Sequence, residues 1–299
     1  MRLTATAPAK INLTLDILSR RADGYHDVDM LMQSVSLCET VTVTADPEST
    51  TQGEITITCD KEGVPCDEKN IAYKAAKAFF DYISRPYPDI AIHIHKEIPF
   101  GAGLAGGSAD GAAVIVILNR LFDTKLTTSQ LCQIGEKVGA DVPFCIVGGT
   151  KRATGTGTTL HKLPRLPKCH IVICKPEVSV STARAYALAD KRTGARVSYT
   201  DLCVRALYNG SVRNVSDFLH NDFEEVLCLD VINKIKAVML KSKALGAAMS
   251  GSGSAVFGIF LTEKAALKCA EKLREEFAEV FTTTPVNEGV VITDINHSE

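Results

Sequence analysis

Apolar and polar residues alternate from Ile11 to Ile17, with Asn12, Thr14 and Asp16 between Ile11, Leu13, Leu15 and Ile17. A period of two is that of a half-buried strand, so residues 11–18 are expected to form one, paired with a second over 3–8. Residues 20–26 are polar, broken by Gly24, and read as a turn. Further β-type runs occupy 35–37, 40–45, 54–59 and 91–95. Between them residues 70–83 change to a helical period, with Ala72, Ala75, Ala76 and Phe79 or Phe80 on one face.

A glycine-rich turn over 99–107 precedes an Ala/Val/Ile/Leu-rich stretch, 108–121, expected to be a buried helix. Thr127 or Thr128 has the chemistry of an N-cap for a helix running to about Val138. Residues 144–147 and 171–174 read as strands. Past residue 160 helical patterns dominate, at 182–190, 200–208, 222–229, 230–241 and 263–276, with strands at 247–249, 255–260 and 280–284. The change divides the chain into a β-rich part, 1–160, and a helix-plus-sheet part, 161–299, with Pro164 and Pro167 at the junction.

The 299 residues include 33 basic and 35 acidic ones, a net charge of −2, and no long Lys/Arg run. Such a balance argues against electrostatic binding of nucleic acid, which needs a basic face. No stretch nears the roughly 18 apolar residues of a membrane span. The first apolar run is broken by Lys10 and Asn12, so it is not expected to be a signal peptide. The ten cysteines form no CxxC pair and no zinc-finger spacing. They are expected to be reduced thiols in a cytoplasmic protein without a protein-caged metal, and without a heptad or apolar stripe a monomer or weak homodimer is expected.

Three segments carry chemistry. The first holds four glycines between Gly101 and Gly107. Glycines at such a turn bare the backbone amides, and the helix that follows aims its N-terminus at the same place, which suits a phosphate. Gly101, Gly103 and Gly106 satisfy GxGxxG literally. A dinucleotide-binding turn, however, needs a strand running straight into the first glycine and an acid at the end of a second strand roughly 20 residues on. Here Lys96–Phe100 intervenes, and the candidate acid, Asp123, follows a helix. A Walker A loop would need a lysine before Ser108. A flexible turn without a ligand would show the same composition.

The second segment places Lys10 at a strand start among apolar residues, a costly site for a charge unless it meets an anion; a lysine at a strand end is more often merely solvated. In the third, Asp141 follows a helix and could simply cap a turn. Ser250-Gly251-Ser252-Gly253-Ser254 could be a plain hairpin or a second amide-rich surface for phosphates.

Together, Pro8-Ala9-Lys10, the PxGxGLxGGSA stretch beginning at Pro99, and the Gly-Ser loop near residue 250 resemble the three motifs of the small-molecule kinases named for galactokinase, homoserine, mevalonate and phosphomevalonate kinases, the GHMP family. Residues 8–18, 21–37 and 139–157 are similar to those of members that phosphorylate the 2-hydroxyl of a cytidyl-linked methylerythritol in the non-mevalonate isoprenoid route. The resemblance covers nearly the whole chain. It implies an α+β fold with two domains: a ribosomal-protein-S5-like N-terminal ATP-binding domain and a C-terminal α/β sandwich domain, with the active site in the cleft between them.

The resemblance further implies ATP bound by Pro99, Phe100, Gly101, Ala102, Gly103, Leu104, Ala105, Gly106, Gly107, Ser108 and Ala109, with Asn70, Ile71 and Lys96 at the adenine. Asp141 would accept the proton of the substrate hydroxyl, and Lys10 would hold Asp141 ionised and orient that hydroxyl. Asn12, Tyr25 and His26 would bind the cytidyl substrate, with Tyr186 closing on the base. Mg²⁺ is expected with ATP, held largely by phosphates and water, with Ser108 either a ligand or a helix N-cap. The chain departs from the family where an acid usually follows the second GxG turn: it has Thr158-Thr159. A homoserine- or mevalonate-type kinase would share the loop without needing a base pocket. An S5-like nucleic-acid module would need the basic stripe that is missing.

Overall fold

The computed structural model describes residues 1–192 and 197–296. The N-terminal alternation builds one strand where two were expected, β1 (Arg2–Arg20), antiparallel to β2 (His26–Ala45). Its register against β2 shifts at Pro8/Ala9, Asn12/Thr14 and Ile17/Ser19. Proline has no N–H for the ladder, so a bulge at Pro8 is natural, and bulges re-aim the side chains that follow.

In chain order there follow β3 (Ile55–Cys59), α1 (Ile71–Tyr82), β4 (Ile90–His95), α2 (Gly106–Leu121), α3 (Thr128–Val138) and α4 (Val142–Val147), then the hairpin β5 (Thr150–Gly155) and β6 (Thr159–Lys162). The second half holds β7 (His170–Lys175), α5 (Thr182–Ala189), α6 (Tyr199–Tyr208), α7 (Val212–Ser216), β8 (His220–Asn221), α8 (Asp222–Leu227), α9 (Asp230–Lys241), β9 (Gly246–Met249), β10 (Val256–Phe260), α10 (Glu263–Arg274), β11 (Glu279–Thr283) and β12 (Val291–Asn296). Among the described residues no helix is long and apolar enough to cross a membrane.

α4 corrects the strand expected over 144–147. A short apolar run is ambiguous by period alone, and Pro143 in the first turn favours a helix, which Gly148 ends. Thr127 is the N-cap of α3, in a full capping box with Gln130.

The first sheet runs β12-β1-β2-β4-β3, with β5 also on β2, β6 on β5 and β8 on β1. β2 changes partner along its length: Val28–Gln33 pairs with β5 and Thr40–Ala45 with β4. The second sheet is antiparallel, in the order β11-β7-β10-β9. A single cut at 160/161 therefore does not separate two sheets, because β8 and β12 return to the first one.

The larger core lies where α1 and α2 cover the first sheet, and it takes in Ile171, Ile173, Phe257 and Ile259 from the second. Val172, Cys174, Val256 and Phe260, facing the other way, join Ile235, Met239, Cys269 and Leu273 of α9 and α10 in a second core. The second sheet is buried on both faces.

A buried ion cluster fixes α2 on this frame. Lys96, just past β4, places Nζ 2.6 Å from Glu39 Oε1 of β2 and 2.6 Å from Asp110 Oδ2 of α2. None of the three side chains is more than 3% exposed. Glu39 Oε2 also accepts the amide of Glu97 at 2.8 Å, pinning the approach to the glycine turn. Two carboxylates share one ammonium, so burial governs: it raises Glu39, and it pushes Asp110 up to about 7. Between the ordinary 3.8 and about 7 the folded chain holds a proton that the unfolded chain has released, so this group's contribution to stability falls as pH rises through that window. Asp110→Asn is expected to remove the slope. Thermal unfolding from pH 5 to 8 should show the wild type losing on the order of 2 kcal/mol relative to the variant. Parallel curves would contradict the assignment.

Candidate active site

The glycine turn ends in an uncapped helix. The N-cap of α2 is Ala105, at φ 61° and with no side-chain capping bond, so the first-turn amides stand open at the positive end of a 16-residue helix. Gly103, at φ 77°, could not carry a side chain: a Cβ there would lie 2.1 Å from the carbonyl oxygen of Ser250. This close approach brings the third segment onto the first. Ser250 Oγ donates to Gly103 O at 3.0 Å, and the amide of Ala255 donates to Ala102 O at 3.1 Å.

The second segment joins them. The amide of Lys10 donates to Leu104 O at 3.1 Å. Its ammonium is 4% exposed and donates to Asn12 Oδ1 at 2.6 Å, and the same oxygen accepts the amide of Gly251 at 3.0 Å. Lys10 Nζ also lies 3.6 Å from Asp141 Oδ2. Asp141 precedes α4 but makes no side-chain capping bond, so the turn-capping role is excluded and the carboxylate faces Lys10 and the cleft. Asn12 is buried, with its carboxamide oxygen spent on Lys10 and Gly251.

At the other end of the cleft the ring of His26 stacks on Tyr186, with centroids 4.4 Å apart and planes at 17°. Tyr186 meets the edge of Phe223 at 4.9 Å. His26 Nε2 lies 2.7 Å from Asp190 Oδ1. A carboxylate can only accept there, so Nε2 carries a proton, and in the neutral ring Nδ1 is then the acceptor. That hydrogen bond holds Asp190 below the ordinary carboxylate range, while burial pushes the Tyr186 hydroxyl up to about 12. Tyr25 is 68% exposed on the rim.

One cleft of about 840 Å³ collects Lys10, Asn12, Tyr25, His26, Ile71, Lys96, Asp141, Tyr186 and every turn residue from Pro99 to Ser108. Two expected residues are not on its wall. Asn70 is the N-cap of α1, accepting from the amide of Ala72 at 2.8 Å and donating to Pro65 O at 2.6 Å. Ala109 is fully buried in the core behind the turn. Lys96 lines the cleft, but two of its three donors face Glu39 and Asp110.

Sequence reasoning missed Asp190. It also missed Asn221, whose amide nitrogen donates to Met249 O at 2.7 Å and Gly251 O at 2.8 Å and so holds the Gly-Ser loop in place. Both act across long sequence separations, and the only local sign was that an Asn suits the N-cap of α8. Where the family's acid is missing, Thr158 Oγ1 donates to Glu136 Oε1 of α3 at 2.7 Å.

Ser108 sits in the first turn of α2 past its N-cap, so it is not the cap. Its hydroxyl faces the 139–141 turn, 4.0 Å from where a Cβ on Gly139 would stand. Ser108 and Asp141 thus offer oxygen donors beside the bare amides, a set that suits a cation shared with phosphate oxygens. His220, Asp222 and Glu225 also cluster, but Arg192 fills that group, with Nη1 2.5 Å from Asp222 Oδ1 and Nη2 2.5 Å from Glu225 Oε2.

Comparison with known proteins agrees with this geometry. Residues 70–149 match the model of the GHMP kinases N-terminal domain, and 203–279 that of the GHMP kinases C-terminal domain. A 4-diphosphocytidyl-2-C-methyl-D-erythritol kinase of Caldicellulosiruptor saccharolyticus is 42% identical over 280 residues, 93% of this chain and 95% of that protein. A crystal structure of 4-(cytidine 5'-diphospho)-2C-methyl-D-erythritol kinase superposes with a TM-score of 0.77 at 29% identity, covering 95% of this chain and 99% of the other. Homoserine kinase from Cytophaga hutchinsonii, at 20% identity, shares the fold, with a TM-score of 0.78 over 98% and 97% of the two chains. With both domain models matched in order, the first spanning the uncapped helix and Asp141, and a 42% identical relative matched over 95% of its length, the chain belongs to the GHMP kinases.

Proposed function

We infer that this chain transfers a phosphoryl group from ATP to the 2-hydroxyl of 4-diphosphocytidyl-2-C-methyl-D-erythritol, giving the 2-phosphate and ADP in the non-mevalonate route to isoprenoid precursors. The observation that carries this is the open N-terminus of α2 in the same cleft as Lys10 and Asp141, with an aromatic wall at the far end. Its nearly full-length likeness to a kinase of that name supports the choice of alcohol.

Phosphoryl transfer asks a protein for positioning and charge stabilisation rather than covalent help. The amides of the 101–108 turn and the dipole of α2 cradle the nucleotide phosphates and stabilise charge on the transferring oxygens. Asp141 accepts the proton of the attacking hydroxyl. Lys10, 3.6 Å away, holds the carboxylate ionised and orients the hydroxyl. Asn12 fixes Lys10 by accepting a hydrogen bond from its ammonium. Ile71 and Lys96 face the adenine side of the cleft, while Asn70 acts there only by starting α1.

Tyr25 offers a ring face to the cytosine, a kind of stacking worth about 1–3 kcal/mol per base, while Tyr186, packed between His26 and Phe223, backs the histidine ring. Nδ1 of His26, left as an acceptor by the bond to Asp190, suits an exocyclic amino group. This remote binding energy aligns a hindered tertiary alcohol for attack. Mg²⁺, held by Ser108 and Asp141 with phosphate oxygens and water, would neutralise charge on the phosphates.

Homoserine and mevalonate need no aromatic wall, so they fit the far end of the cleft less well. The ten cysteines are all unpaired, as suits a reducing cytoplasm. Against an S5-like nucleic-acid module, Lys10 and Lys96 are both committed to acids or amides within the chain.

A coupled ADP-release assay with Mg-ATP, offering the cytidyl compound beside homoserine, mevalonate and galactose, tests the substrate. Turnover with the cytidyl compound alone is expected, and turnover only with another alcohol would overturn the assignment. In the same assay Asp141→Ala and Lys10→Ala should lower kcat by about 10²–10⁴-fold with an unchanged circular dichroism spectrum. Retained activity in Asp141→Ala would remove it as the base. Gly103→Ala should force the turn from the Ser250 loop and cost about a hundredfold in kcat/KM; wild-type kinetics would show that the contact is dispensable.

A further inference from the structure

Lys175 is a buried cation that pairs with no carboxylate among the described residues. It ends β7, is 7% exposed, and donates from Nζ to the carbonyl oxygens of Pro176 at 2.6 Å and Val178 at 3.5 Å. Ser254, the last residue of the Gly-Ser loop, turns its hydroxyl to the same two carbonyls, 3.5 Å from Pro176 O and within closer hydrogen-bond reach of Val178 O. Two side chains from different strand ends thus grip one short segment.

That segment, 176–181, has no helix or strand of its own and leads directly into α5. Val180, Thr182, Tyr186 and Asp190, from this segment and from α5 with its C-cap, stand on the cleft wall. A second tie runs from Thr182 Oγ1 to Ser252 Oγ at 2.9 Å, so α5 hangs from the loop that packs on the glycine turn.

Stability does not explain a lysine here. Burying an ammonium without an anion is unfavourable, and a methionine of similar length would fill the space without that cost. What a lysine supplies is a pair of fixed carbonyl directions, and therefore a fixed course for the chain entering α5.

We propose that Lys175 is a positioning residue for the alcohol substrate. Together with Ser254 it clamps residues 176–178 and so sets α5, with Tyr186 and the Asp190–His26 pair, at a defined distance from the phosphate end of the cleft. The proposal rests on the assignment of the α5 end of the cleft to the cytidyl group.

The test compares wild type, Lys175→Met, Ser254→Ala and the double variant by thermal unfolding, by KM for each substrate, and by amide hydrogen exchange of the unliganded protein. Lys175→Met should unfold no earlier than wild type, raise KM for the cytidyl compound about fivefold or more, and leave KM for ATP within about twofold. Ser254→Ala should move the same KM, and the double variant should fall short of the product of the single effects, because both side chains hold one segment. Exchange should quicken across 177–189 and stay unchanged across 99–109. Equal rises in both KM values, an unmoved KM for the cytidyl compound, or unchanged exchange across 177–189 would overturn the clamp. If the wild type turned over a different alcohol instead, the substrate assignment would fail, while the exchange data would still decide the clamp. Should Lys175→Met fail to fold, Ser254→Ala carries the same comparison.

Discussion

Two backbones meet at Gly103 and Ser250 more closely than any side chain would allow, and the site depends on that contact. The carbonyl of Ser250 occupies the place where a Cβ of residue 103 would stand, while Ser250 Oγ donates to Gly103 O. Because the loops touch, the amide of Gly251 can reach Asn12 Oδ1, and Asn12 can hold the Lys10 ammonium. Lys10 in turn faces Asp141. A glycine turn, a strand bulge, a helix start and a hairpin thus become one surface, with the open amides of α2 beside it.

Three buried lysines show how differently a fold can treat the same charge. Lys96 is shared by two buried carboxyl groups, so it serves mainly to lock α2 to the sheet. Lys175 has only carbonyl oxygens, whose value lies in direction rather than charge. Lys10 has one neutral amide and one partly exposed carboxylate, so its single charge is met once, at the cleft. Of the three, Lys10 is the one whose carboxylate partner stands on the cleft wall.

The elements with a clear period were legible: α1, α3, α9 and α10 follow their apolar stripes, and Thr127 caps α3 as its chemistry suggests. The errors have common causes. The 142–147 run is apolar on every side, so its period is silent, and only the proline marked its helix. β1 read as two strands because Pro8 interrupts the pattern, yet a bulge absorbs the interruption. β12 was missed because it covers an edge of the first sheet from the far end of the chain, a pairing with no local signal.

Local chemistry, written in neighbouring residues, was determined by the sequence alone: a glycine turn before an apolar helix means exposed amides and an anion, and the three motifs in order mean a small-molecule kinase. Tertiary structure decided which residues share the cleft. It set Asp141 free to meet Lys10 instead of capping its turn, turned Asn70 into a helix cap beneath the wall, and brought Asp190 onto His26 from 164 positions away. Pairings of this kind depend on how strands bulge and loops pack, and a side chain's neighbours in space leave no periodic trace beside it in sequence.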